Sequence, residues 1–166
     1  METIWEVEEM NRFRTHYKSK IGWLEIIGTS EAVTHINFTD KKQPSDRKIP
    51  EILRECRTQL DEYFRGERTD FSVKFVLEGT DFQKKVWKRL LKIPYGRTVS
   101  YKDVAVSIGN EKGGRAVGGA TGRNNISIIV PCHRVIGSGG DLVGFGGGLW
   151  RKVWLLNHEK KSSPNA

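Results

Sequence analysis

Along the first forty positions apolar and polar residues alternate in short runs. "RFRTHYKS" and "GWLEIIGT" flank a turn at Ser19–Gly22, and "AVTHINFT" follows them. Such alternation predicts three strands. The polar stretch "TDKKQPSDRKIP", with two prolines, predicts a loop. The period then changes. In "EILRECRTQLDEYFRGE" the apolar residues Ile52, Leu53, Cys56, Leu60, Tyr63 and Phe64 recur at helical spacing, with Gly66 as the stop. The N-terminal half is therefore expected to be a small antiparallel sheet with one helix. Cys56 lies on the apolar helix face and reads as a core residue. "VLEGTDF" joins the halves and sets the expected domains at 1–78 and 79–166.

The second half is patterned for helices. In "TDFQKKVWKRLLKIPYG", Thr80 and Gln83 suit a capping box, and Phe82, Val86, Leu90 and Ile93 form an apolar stripe. Pro94 and Gly96 are expected to end that helix. In "SYKDVAVSIGN", Ser100 caps, Asp103 follows at the third helical position, and Gly109-Asn110 stops a short helix. "GGRAVGGATGR" comes after a brief turn, which makes a helix-turn-helix outline. This last helix holds five glycines and two alanines in eleven residues. Each interior glycine costs about 1 kcal/mol against alanine, so the composition serves close approach to the backbone. Another helix or a narrow nucleic-acid groove fits there. Arg115 is the long outward side chain of its first turns, suited to a base stack or a phosphate. "ISIIVP" predicts a buried extended segment ending at Cys132. "LWRKVWLLNHEK" predicts an amphipathic helix with Leu149, Val153 and Leu156 along its apolar edge, Trp150 and Trp154 beside them, and Glu159 at the border. The fold class expected is α+β: a small sheet-and-helix domain, then a mainly helical domain.

Composition narrows the partners. The chain has 166 residues and a net charge of +8. Residues 1–78 carry 13 Lys+Arg and 15 Asp+Glu, a net of −2, while residues 79–166 carry 15 and 5, a net of +10. The whole basic excess lies in the helical half, which favours a polyanion, most simply nucleic acid, over a merely solvated basic face. No apolar run is long enough to span a bilayer. The acidic start "METIWEVEEM" lacks the features of a signal peptide, so an intracellular, cytoplasmic protein is expected. Two cysteines make no disulfide framework and no thiolate zinc site. The four histidines show no zinc spacing, so neither metal nor cofactor is expected.

The candidate chemistry sits in "IVPCHRVIGSGGDLVGFGGG". Cys132 and His133 admit three readings: a catalytic pair, half a metal site, or a buried cysteine beside a surface histidine. The preceding proline, the following His-Arg and the glycine-rich loop weigh against the last. Burial raises a thiol pKa and a nearby cation lowers it, which fits a thiol protonated at rest and ionised when a base is presented. The loop "GSGGDLVGFGGG" has no phosphate-binding fingerprint. Its seven glycines leave room for a flat ligand held by backbone groups. Glu159 gains meaning only if His133 lies near it, as the carboxylate of a Cys–His–carboxylate relay.

The stretch "RAVGGA…N…PCHRVIG…GGL…LLNHE", entered by "FQKKVWKRLLKIPYGRTVSY", resembles the O6-alkylguanine-DNA alkyltransferases over about residues 79–160. The N-terminal half is similar to that family only in size and layout. The resemblance implies a single-turnover repair protein of prokaryotic type. It would act as a monomer on the minor groove of duplex DNA, flip out O6-alkylguanine (or O4-alkylthymine) and move the alkyl group to a cysteine. It implies Cys132 as acceptor, His133 as the base acting through a water, Glu159 as the carboxylate behind it, and Asn124 as the brace of the turn. It implies DNA contacts from Ser100, Tyr101, Arg115, Gly118, Gly119 and Arg123. It implies a pocket of Tyr101, Val135, Phe145, Gly146 and Gly147. Two positions depart from the family pattern: Phe145 replaces a tyrosine, and Gly146 replaces a serine of some members. The N-terminal zinc ligands of some members have no counterpart, and the acceptor is not the tryptophan of the non-catalytic relatives. Two other classes compete: a module that only senses alkylated bases, and a thiol hydrolase. The first leaves the Cys132, His133, Asn124 and Glu159 set unexplained, and the second leaves the charge and the glycine-rich helix unexplained.

Overall fold

The computed structural model describes residues 11–163, so the acidic start of the chain lies outside the described residues. The chain forms two compact units, Met1–Val76 and Leu77–Ala166.

In the first unit the alternating runs become β1 (Phe13–Ser19), β2 (Gly22–Gly28) and β3 (Val33–Thr39). They pair antiparallel in the order β1-β2-β3. Gly22, at φ 115, makes the first turn, and Ser19 Oγ donates to its carbonyl at 2.6 Å. Leu24 and Ile26 of the central strand are fully buried. They meet helix α1 (Glu51–Phe64), whose inward residues include Leu53, Cys56, Leu60, Tyr63 and Phe64. Gly28 permits this packing, because a Cβ there would stand 2.6 Å from Ala32 O and 2.9 Å from a Leu53 methyl. Gln59, also buried, fastens the following segment. Its Oε1 accepts from Ser72 and Val73 N–H, and its Nε2 donates to Ser72 Oγ. Cys56 is a core residue; burial pushes its thiol up to about 12.

In the second unit helix α2 spans Asp81–Leu90, with the Thr80–Gln83 capping box in place. It ends four residues before Pro94, earlier than the sequence pattern predicts. Lys92 and Ile93 N–H turn back to Arg89 and Leu90 carbonyls in a tightened last turn, since proline disfavours helical geometry in the residue before it. Ser100 and Asp103 form a second capping box at the start of α3 (Tyr101–Ser107). After a turn comes α4 (Gly114–Gly122). Buried Trp87 of α2 donates its indole N–H to Ala120 O at 2.9 Å, tying the helix-turn-helix to its support. The two-residue strands β4 (Val99–Ser100) and β5 (Val135–Ile136) pair in parallel. They bring the start of α3 beside the Cys132 segment.

Two expectations are corrected here. "ISIIVP" is not extended: Ile129 N–H bonds Ser127 O at 2.9 Å and Val130 N–H bonds Ile126 O at 3.0 Å. Ile128 stands at φ 74, the one non-glycine with positive φ among the described residues. The last helix, α5 (Leu149–Ser162), faces inward with Lys152, Leu155 and Glu159. Leu149, Trp150 and Val153 of the predicted apolar edge are exposed. Two charges are buried in their place because the fold supplies partners for both. Among the described residues no helix is long and apolar enough to cross a membrane.

Candidate functional site

The segment leading to Cys132 is folded by two narrow turns in succession. The first spans Ile128. A β-branched residue at positive φ is strained by about 1–3 kcal/mol, and it persists because Ile126, Ile128, Ile129 and Val130 are all buried. The second spans Pro131, at φ −82 and ψ 64, and Cys132 N–H closes it onto Val130 O at 2.8 Å. That is an inverse γ-turn. One 3₁₀ turn, Cys132–Arg134, follows.

Asn124 joins both turns. Its Oδ1 accepts from Ile126 N–H at 3.0 Å, and its Nδ2 donates to Val130 O at 2.8 Å and to Cys132 Sγ at 3.2 Å. The carboxamide thus fixes the backbone and the sulfur together. Burial pushes the Cys132 thiol up, against the opposing pull of the Asn124 N–H and the Lys152 charge. The thiol is protonated at rest.

Behind the cysteine lies a buried chain of charge. His133 is completely buried and its Nε2 stands 2.7 Å from Glu159 Oε2. Arg134 donates Nε to Glu159 Oε1 at 2.8 Å, Nη2 to Oε2 at 3.1 Å, and Nη1 to Ile93 O at 2.7 Å. Gly96 N–H adds a bond of 3.3 Å to the same carboxylate. Burial alone would raise the Glu159 pKa, but His133 and Arg134 more than reverse this and hold it well below the usual carboxylate range. Burial holds the His133 imidazole below its ordinary value, against the pull of Glu159. A neutral ring that donates Nε2–H to Glu159 keeps its lone pair on Nδ1. That atom is buried and has no hydrogen-bond partner among the described protein groups. The Cys132 thiol and the His133 ring make no hydrogen bond to each other; the His133 backbone N–H, not its ring, favours the thiolate.

The loop after β5 is held by a lysine that sequence reasoning missed. Lys152 is fully buried, and its Nζ donates to Val135 O at 2.6 Å, Val143 O at 2.9 Å and Gly144 O at 3.2 Å. Tyr101 Oη also donates to Val143 O, at 2.9 Å. Tyr101 and Val135 are thereby joined to one wall. Phe145 is half-buried beyond them, and Gly148 N–H closes a turn onto its carbonyl. Gly147 O accepts from Arg151, and a Cβ on Gly146 would meet only Gly122 O at 3.7 Å. The signal for Lys152 is its spacing: Lys152, Leu155 and Glu159 share one helix face. Lys152→Met is expected to lower stability in urea by about 1–3 kcal/mol, since buried carbonyls lose their donor. Unchanged unfolding would show that the loop holds itself.

The remaining predicted residues lie outside this chain of bonds. The Arg115 and Arg123 side chains are exposed and make no hydrogen bond or ion pair among the described residues. Ser100 is engaged as a helix cap. A Cβ on Gly114, Gly119 or Gly122 would meet nothing within 4 Å, and on Gly118 only the Tyr101 ring at 3.9 Å. No packing inside the protein requires glycine at these positions. The bare face of α4 is open to whatever approaches it.

Comparison with known proteins places this geometry. Residues 81–161 match the family model described as the DNA-binding domain of 6-O-methylguanine DNA methyltransferase. Residues 13–77 match the ribonuclease-like domain of the same group. A relative from Mycobacterium leprae, a methylated-DNA–protein-cysteine methyltransferase, is 47% identical over 146 residues, covering 86% of this chain and 88% of its own. The crystal structure of Mycobacterium tuberculosis O6-methylguanine methyltransferase superposes with TM-score 0.83 at 43% identity, over 93% of this chain and 96% of that one. A structure of the M. tuberculosis protein in complex with DNA gives 0.82 at 45% identity, over 90% and 93%.

Proposed function

Because the chain belongs to the 6-O-methylguanine DNA methyltransferase family, we propose that it repairs alkylated DNA by moving the alkyl group from O6 of guanine, or O4 of thymine, to Cys132 Sγ. Residues 79–166 bind the duplex and carry the transfer; residues 1–78 support them. The protein acts as a monomer, in the cytoplasm, on the minor-groove side. The small face of α4 with Gly118 and Gly119 lies against the groove, and Ser100 and Arg123 contact the backbone. The base leaves the stack because its O6 edge is otherwise out of reach, and Arg115 fills the gap. Tyr101, Val135, Phe145, Gly146 and Gly147 wall the purine.

The observation that carries this reading is the run of buried contacts on either side of the thiol: Asn124 on Cys132, and Glu159 behind His133. In the reaction the thiol proton passes through one bridging water to His133 Nδ1, and Glu159 stabilises the imidazolium. The Sγ electron pair attacks the alkyl carbon and the carbon–O6 bond breaks. The bonding pair stays on the base, which takes up a proton equivalent to the one the thiol gave to His133, so unmodified guanine (or thymine) and an S-alkyl cysteine result. A thioether has no leaving group for water to displace, so the step is irreversible and each molecule acts once. Intact-mass spectrometry after mixing with an O6-methylguanine duplex tests it. One methyl per chain, mapped to Cys132, is expected; an unmodified chain would refute transfer in favour of simple recognition.

The pH profile separates the relay from an unassisted thiolate. His133 remains neutral, and able to accept a proton, until pH falls below its ordinary value of 6.5, because its own pKa is lowered. The Cys132 thiol stays protonated to beyond 9.0. Single-turnover rates are therefore expected to be flat between these values and to fall only on the acid side. A climb of about tenfold per pH unit across the range would instead mark free thiolate as the nucleophile.

A further inference from the structure

The surface of the first unit carries an open cleft of about 500 Å³ that the proposed reaction does not use, and its cations, Lys42, Arg47, Arg54 and Arg57, are all exposed. They line it against one carboxylate, Asp46. They gather in a half of the chain whose overall balance is −2. The cleft is a local concentration of positive charge, not a sample of a basic surface.

The lining groups differ in what already satisfies them. Asp46 is held to the backbone: its Oδ2 accepts from Arg14 N–H at 2.7 Å and its own N–H donates to Arg14 O at 3.0 Å. Arg54 is answered by Glu51 Oε2, at 3.1 and 2.6 Å, and by Ile49 O at 2.9 Å. The other three retain donors. Arg57 gives one bond, from Nη1 to Thr15 Oγ1 at 3.1 Å. The Arg47 side chain makes no hydrogen bond or ion pair among the described residues. Lys42 lies over the Trp23 ring at 5.1 Å, a contact that uses its charge but not its three N–H donors. Ser45, on the same wall, is fixed by the buried His16, whose Nδ1 stands 2.8 Å from Ser45 Oγ. Donors therefore converge from a strand, a loop and a helix.

A tetrahedral oxyanion answers donors that arrive from several sides, and guanidinium groups match it in pairs. We propose that this cleft binds a phosphate group, held by Arg47, Arg57 and Lys42, with the Thr15 hydroxyl as a further donor. The space exceeds the phosphate itself and admits the group to which it is esterified. A free nucleotide and a polynucleotide backbone both offer that chemistry.

The test uses the full chain, isotope-labelled for NMR and titrated with sodium phosphate against sodium chloride at matched ionic strength. Saturable shifts of the Thr15, Ser45 and Arg57 signals, with one common constant, are expected. Arg47→Gln, a change that touches no contact in the fold, should weaken binding roughly tenfold, the loss of one charge-assisted hydrogen bond. Arg57→Gln should do the same, with its helical spectrum checked because the Thr15 bond goes too. A response that is linear, or equal in wild type and Arg47→Gln, overturns the proposal. Two further titrations assign the source. Saturation by a nucleoside monophosphate that an unalkylated duplex does not displace means a free nucleotide; displacement by the duplex means the DNA backbone.

Discussion

Cys132→Ser should give no methyl transfer while retaining its hold on duplex DNA. A hydroxyl can occupy the same turn, since the Asn124 carboxamide that donates to Sγ at 3.2 Å also suits oxygen. The turn itself rests on backbone bonds and on Asn124, not on sulfur. What is lost is nucleophilicity. A serine hydroxyl ionises far less readily than a thiol, and its harder oxygen is a poor match for displacement at an alkyl carbon. On the proposed relay, His133 would face a far less acidic hydroxyl proton and leave a harder oxygen to attack the alkyl carbon. Transfer should fall below detection by intact mass, and duplex affinity by mobility shift should stay within about twofold, because the α4 face and Arg115 are untouched. Methyl transfer persisting in the variant would mean that another residue is the acceptor.

Glu159→Gln should be nearly as costly, for a different reason. The carboxylate is 1% exposed and answers both a guanidinium and an imidazole. An amide of the same shape leaves Arg134 charged and buried without its counterion. Removing one partner of a buried pair costs about 3–5 kcal/mol, visible as a lower urea midpoint. The transfer rate should drop by roughly 10²-fold or more, since the imidazolium of the proposed relay loses its stabiliser. The acid limb gives an independent check. Glu159 has a folded pKa below its ordinary 4.5, so the stability it contributes is present above 4.5 and is lost as pH falls through the depressed folded value. Wild type should lose stability over that acid window, and the variant should lose less. A variant with wild-type unfolding and wild-type transfer would make the Glu159 contacts idle.

The strands, both capping boxes and the helix-turn-helix outline were legible because each is a local matter. Alternation, a cap residue and its partner three positions on, and a glycine stop all lie within one window of sequence. The turn at Ile128 was not legible. A run of β-branched residues reads as extended, and the tight fold it adopts depends on Asn124 and on the burial of four neighbouring side chains. Helix α5 was misread for a related reason. Its pattern offers Leu149, Val153 and Leu156 as the natural inward edge, with Trp150 and Trp154 beside them. Lys152 and Glu159 take that place because carbonyls at 135, 143 and 144, and side chains at 133 and 134, are brought to them by the fold. The partners that make charge tolerable inside were distant in sequence, so propensity alone pointed the wrong way. The residues around Cys132, with Glu159 behind His133 and Asn124 on the turn, could be nominated from their motif; the bonds of Arg134 and Lys152 could not.

The burial of Cys132 bears on how long an unused molecule remains useful. On the proposed single-turnover reaction, a thiol that met whatever electrophile diffused past would spend the molecule. At 6% exposure, with burial favouring the protonated thiol, the sulfur presents little surface and little thiolate to small oxidants and alkylators in solution. On the proposed reaction, only a base that fills the slot brings an alkyl carbon to it. The same burial that makes the thiol a poor general nucleophile lets the protein wait, undamaged, for a lesion.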